Sequence, residues 1–164
     1  MVKFLLNGKV CSIDEDESLI EFLRNKKELI SVKNGCGEGA CGACMVLVDG
    51  KATKACILKG QKIKDKEVIT VEGLDEKYKK AFAYSFTRVG AVQCGFCIPG
   101  MVISAVGLFN KTLTPTSDDV KKALIGNICR CTGYKKIEEA ILMTAEIIRE
   151  KVEVFRTCGI INYV

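Results

Sequence analysis

Ten cysteines and no histidine in 164 residues constrain this chain more than any other feature. In a chain bound for export, such cysteines would suggest a disulfide framework. Here the first apolar run, Phe4 to Leu6, is broken at once by Asn7-Gly8 and is far too short for a signal-peptide core. The most apolar stretch, Met101 to Phe109, is too short to span a bilayer. The expected location is therefore the cytoplasm, where thiols stay reduced and bind metal. Without imidazole, Cys₂His₂ zinc sites, Rieske clusters and histidine-ligated haem or copper all drop out. All-thiolate sites remain.

Composition narrows the function further. Apolar residues make up 48% and charged residues 27%, the balance of a globular protein with a packed core. The net charge of +5 is spread along the chain and there is no tryptophan. A nucleic-acid surface is therefore not expected.

The cysteines form two groups separated by a cysteine-free stretch from Ile57 to Gln93. Around the first group the chain reads as a small mixed sheet with one helix. Lys3–Leu6, Asn7-Gly8 and Lys9–Ile13 predict a hairpin, as do Met45–Val48, Asp49-Gly50 and Lys51–Ile57. Val68–Val71 predicts a further strand, and Ser18 with Glu21 suggests a capping box opening a short helix. The second half changes to helical spacing. Helices are expected over Tyr78–Val89, from Pro99 to Phe109, from a Thr116/Asp119 cap through Val120, Leu124 and Ile125 to Gly126, and over Ile137–Ile148. Four helices in about 75 residues predict a bundle. The fold class is thus α+β, with domains over 1–74 and 75–152 and a C-terminal tail over 153–164.

Cys36, Cys41 and Cys44 follow C-x₄-C-x₂-C, with Cys56 further on, which is the plant-type spacing for a [2Fe–2S] cluster. Gly35, Gly37, Gly39 and Gly42 would let the loop turn its N–H groups toward the sulfurs. Pairing across Asp49-Gly50 places Cys44 nearly opposite Cys56. Structural zinc, the competing reading, usually takes two C-x₂-C knuckles, and this site has one. Cys94-Gly95-Phe96-Cys97 and Cys129-Arg130-Cys131 supply a second set, each pair at a helix boundary where N–H groups favour thiolate. Geometry allows either a cluster or zinc there. Cys11, on the second strand, reads as a small apolar residue, and Cys158 has no partner at ligand spacing.

These residues carry a resemblance. Gly35-Cys36-Gly37-Glu38-Gly39-Ala40-Cys41-Gly42-Ala43-Cys44, Gln93-Cys94-Gly95-Phe96-Cys97-Ile98-Pro99-Gly100 and Gly126-Asn127-Ile128-Cys129-Arg130-Cys131-Thr132-Gly133-Tyr134 resemble, in order, the motifs of the molybdenum hydroxylase iron–sulfur subunit. That family includes xanthine dehydrogenase, aldehyde oxidoreductase, carbon monoxide dehydrogenase and nicotinate dehydrogenase, and the likeness covers about residues 2–150. It implies a β-grasp ferredoxin-like domain and a four-helix bundle, each with one 2Fe-2S cluster. It implies a large subunit bearing a molybdopterin cofactor and a medium subunit bearing FAD, assembled as a dimer of heterotrimers. Electrons would run from molybdenum through the bundle cluster and the ferredoxin-like cluster to FAD, with a purine such as xanthine favoured as substrate. Gln93 and the Cys131 region would touch the pterin. Ile98 departs from the family's usual threonine while leaving all eight ligands intact. A stand-alone two-cluster ferredoxin and a zinc-stabilised interaction module are the alternatives, separated from this reading by stable association and by metal identity.

Overall fold

The computed structural model describes residues 1–150, so Cys158 and the expected tail over 153–164 lie outside the described residues. Strand β1 (Val2–Leu6) and β2 (Lys9–Ile13) form the first hairpin. Asn7 and Gly8 both take positive φ, 49° and 78°, as a primed two-residue turn requires. Val2, Phe4 and Leu6 alternate inward along β1, the period-two pattern of a half-buried strand. Helix α1 (Leu19–Glu21) follows and widens into a π-helical stretch over Phe22–Lys26.

The expected Ser18/Glu21 capping box does not form. Ser18 instead pairs as a β-bridge with Lys59, and the Leu19 amide donates to the Leu58 carbonyl at 2.9 Å. The neighbouring segment satisfies an amide that a cap would otherwise serve.

Strand β3 (Met45–Val48) and β4 (Lys51–Lys54) make the second hairpin across Asp49-Gly50, again with both turn residues at positive φ. The strand expected through Ile57 stops at Lys54 and passes into a 3₁₀ turn over Ala55–Ile57. Strand β5 (Glu67–Ile69) is shorter than the sequence suggests, because Val71 enters the 3₁₀ turn leading out of the sheet. The sheet order is β2-β1-β5-β3-β4, with β1 and β5 parallel and the other pairs antiparallel.

Every residue of β3 is buried. Val46 and Val48 face the core that contains Phe4, Leu23 and Val68, whereas Met45 and Leu47 face the helices. The strand thus serves two cores at once. Beyond it lie α2 (Glu76–Arg88), α3 (Ile98–Phe109), α4 (Ser117–Ala123) and α5 (Lys135–Glu150). Pro99 sits in the first turn of α3, whose apolar surface is enclosed by α4 and by strands β3 and β4. Phe82 stacks on Phe109 at 5.8 Å and Tyr78 on the same ring at 6.5 Å. The capping box of Thr116 and Asp119 is formed in full. Helix α4 ends before Ile125, which is 77% exposed and does not extend the buried face formed by Val120 and Leu124. No helix among the described residues is long and apolar enough to cross a membrane.

Candidate metal centres

The loop between α1 and β3 delivers Cys36, Cys41 and Cys44, and the 3₁₀ turn after β4 delivers Cys56. The Ala55 amide donates to the Cys44 carbonyl at 3.0 Å, which continues the hairpin and sets the Cys56 thiol against Cys44. Cys36 and Cys41 form the other half of the set. The amides of Ala40 and Cys41 point at the Cys36 sulfur, at 3.2 and 3.4 Å. Gly37, Gly39 and Gly42 take positive φ, as the loop demands. Gly35 does not. It is small for a different reason, since a Cβ there would lie 2.9 Å from the Cys41 sulfur.

Charge is distributed unevenly over these thiols. The backbone amides of Glu38 and Cys41 bring the half-buried Cys36 thiol down to about 6. Burial, then the Cys44 thiol, pushes Cys56 up to about 11. Bound metal would have to drive off that proton.

The second set is split between the approach to α3 and the loop from α4 to α5. The sulfurs of Cys94 and Cys131 lie 3.7 Å apart and are exposed, while Cys97 faces Cys129 beneath them. Burial and the neighbouring Cys129 raise Cys97 to about 12, outweighing the backbone N–H that favours its thiolate. Burial works against the Cys129 thiolate too, yet the Thr132 hydroxyl at 3.1 Å and amide at 3.5 Å prevail and bring it to about 7. The Cys129 amide donates to the Tyr134 hydroxyl at 2.9 Å, and that hydroxyl donates to the Asn127 carbonyl at 3.1 Å. Tyr134, Thr132 and Asn127 thus fix the loop in ways that spacing did not reveal. Gln93 is exposed beside Cys94. Cys11 lies on β2, half-buried against the first core, as its apolar reading requires.

The sulfurs are grouped in twos. Among the described residues no three cysteine, aspartate or glutamate side chains converge on a position for one ion. A two-iron core asks for no such convergence, because each iron takes two thiolates and shares the bridging sulfides. Tetrahedral metal–sulfur bonds of about 2.3 Å place two sulfurs about 3.8 Å apart, close to the Cys94–Cys131 separation. Donor type and pairing therefore fit the group.

The comparisons with known proteins agree with this geometry. A family described as 2Fe-2S iron-sulfur cluster binding domain matches residues 4–72, and one described as [2Fe-2S] binding domain matches residues 70–142. The chain is 43% identical over 145 residues to the nicotinate dehydrogenase small FeS subunit of Eubacterium barkeri, covering 86% of this chain and 92% of that one. It is 41% identical over 129 residues to the xanthine dehydrogenase iron-sulfur-binding subunit of Escherichia coli O157:H7, covering 76% and 79%. In the solved structure of quinoline 2-oxidoreductase from Pseudomonas putida 86, one chain superposes with a TM-score of 0.81 at 35% identity, covering 91% of this chain and 95% of that one.

Proposed function

This chain belongs to the small iron–sulfur subunits of the molybdenum hydroxylases and transfers electrons within an oxidoreductase complex, and from that premise we propose which residues do so and between which partners. Cys36, Cys41, Cys44 and Cys56 hold one 2Fe-2S cluster, and Cys94, Cys97, Cys129 and Cys131 hold the other. When bound, each cluster supplies a one-electron redox centre. The chain's residues supply everything else: thiolate charge, N–H donors to sulfur, and burial on one side of each centre.

The observation that carries the partner assignment is that exposed apolar residues accompany the segments that carry each sulfur set. Val92 and Phe96 flank Cys94 along the chain, and Ile128 and Tyr134 flank the Cys129 to Cys131 segment, all four more than a third exposed. An apolar surface clustered around reactive thiols is a protein-contact surface. A large molybdopterin-binding subunit would cover it, with Gln93 and Cys131 at the pterin. Ile57, 59% exposed, lies beside Gly39 at the first set, where a medium FAD-binding subunit would dock. Electrons would pass from the molybdenum side to the FAD side through the two sets in turn, in a dimer of heterotrimers.

In fold terms the five-stranded sheet with α1 corresponds to a β-grasp ferredoxin-like domain over 1–74. Helices α2 to α5 correspond to a four-helix bundle domain reaching to 152. The expected location is cytoplasmic. A purine such as xanthine remains the favoured substrate class, acted on by the large chain. Neither the stand-alone ferredoxin nor the zinc module is favoured beside relatives that are subunits of such enzymes.

Gentle anaerobic purification tests the proposal. A large chain with molybdenum and a medium chain with FAD should accompany this one, with about four irons per copy, two for each cluster. Elution alone with the same iron would remove the partner assignments, and zinc in place of iron would remove the redox reading.

A further inference from the structure

The two candidate centres are joined by a contact that neither set of cysteine spacings contains. The Cys41 carbonyl accepts a hydrogen bond from the Ile128 amide at 2.8 Å. Beside it, Asn127 Nδ2 donates to the Gly42 carbonyl at 3.0 Å, while Asn127 Oδ1 accepts from the Ser104 hydroxyl at 2.7 Å. Asn127 is 4% exposed and Ser104 is 2% exposed. A buried amide with partners on both its ends is held in one orientation. The backbone comes unusually close here. A Cβ on Gly42 would run into the Gly126 carbonyl oxygen, and a Cβ on Gly100 into the Gly42 carbonyl oxygen. Space at this junction is reserved for main chain against main chain.

We infer that Asn127, braced by Ser104, is a positioning residue that holds the Cys41 carbonyl on the Ile128 amide and so sets the electronic coupling between the two cluster sites. The inference rests on the two-cluster reading above. Cys41 belongs to the first sulfur set, and Ile128 is bonded directly to Cys129 of the second. A path from one set to the other therefore crosses one hydrogen bond and otherwise follows covalent bonds. Tunnelling weakens steeply at every gap crossed without a bond. The hydrogen bond keeps that gap shorter than the roughly 3.5–4.0 Å of a van der Waals contact. The step served moves a single electron, oxidising one site and reducing the other by one, with no bond made or broken. Donor and acceptor in this step are the two cluster sites themselves, with the partner subunits' redox centres supplying the electron at one end and removing it at the other.

Asn127→Ala and Ser104→Ala test this, since neither side chain is bonded to a sulfur. In the chain itself, hydrogen exchange at the Ile128 amide is expected to quicken about tenfold in Asn127→Ala, the change that one unmade buried hydrogen bond gives. In the cluster-loaded complex, equilibration between the clusters after rapid one-electron reduction should slow, more in Asn127→Ala than in Ser104→Ala. The g values and midpoint potentials of both clusters should stay at wild type. If the amide exchanges faster while equilibration keeps its wild-type rate, the tether is structural only and the inference falls. Should Asn127→Ala fail to load its clusters, Ser104→Ala carries the same comparison. A wild-type chain that binds zinc or a single cluster would overturn the function proposal itself, and metal content tells that case apart.

Discussion

The sulfurs of Cys94 and Cys131 meet at 3.7 Å although 37 residues of chain separate them. Cys97 and Cys129 pair the same way just beneath, so the second set is two interleaved pairs that take one cysteine from each segment. The first set keeps its neighbours together, Cys36 with Cys41 and Cys44 with Cys56. The two sets share no sulfur.

Independence of the sets makes ligand substitutions selective. Cys131→Ser or Cys94→Ser is expected to remove one cluster and about half the iron, leaving the electron paramagnetic resonance signal of the first cluster unchanged. Cys56→Ser should do the converse. Cys11→Ser should keep all the iron, because Cys11 packs against the β-sheet core and faces neither set. Iron analysis with spectroscopy on each variant checks all three, and loss of both signals from Cys131→Ser would refute the separation.

Thiol reactivity in the cluster-free chain should follow the local donors. Cys36 is already thiolate above about pH 6, because amide donors stabilise its charge. Alkylation by iodoacetamide at neutral pH is expected to label Cys36 well ahead of Cys97, whose thiol is held up to about 12 by burial and Cys129. Mass spectrometry over a pH series checks the order, and the Cys36 rate should rise through a midpoint near 6.

Gly100 sets helix propensity against packing. Alanine within a helix gains about 0.5–1 kcal/mol over glycine. The added methyl would meet the Gly42 carbonyl oxygen, and overpacking a tight site costs about 1–3 kcal/mol. Packing is expected to win, so Gly100→Ala should lower the urea midpoint. An unchanged or higher midpoint would show that α3 can slide away from the first cluster loop without loss.

Glu72 links the junction between the two halves to pH. Burial works against its ionised form, but the Ser31 hydroxyl at 2.6 Å, the Thr70 hydroxyl at 2.6 Å and nearby amides prevail and hold its carboxyl below the ordinary 4.5. A carboxyl depressed in the folded state takes up its proton more readily once unfolded. Its stabilisation is therefore complete above the unfolded value near 4.5 and is lost as pH falls through the lower folded value. Unfolding free energy measured against pH should drop across that acid window, and Glu72→Gln should flatten the drop.

Much of the first cysteine loop was legible because it is local. Three cysteines within nine residues, glycines between them, and two primed turns whose residues adopt positive φ all follow from nearest-neighbour chemistry. Hairpin counting even placed Cys56 next to Cys44, because strand register is fixed by turn length. Helix periods and the Thr116 cap were legible for the same reason.

Other features depended on what lies far away in sequence. Ser18 gave up its cap to a bridge with Lys59, and Gly35 is small because of the Cys41 sulfur rather than its own φ. Cys97 is raised by burial that no spacing rule contains. Cysteine spacing within each segment and the helix and strand periods are legible along the chain, because each is set by residues within a turn or two of one another. How the two cysteine loops meet is a property of the packed fold. Their contact of Asn127 with Gly42 spans 85 residues, and it exists because β3 buries both of its faces and so draws the helices onto the sheet.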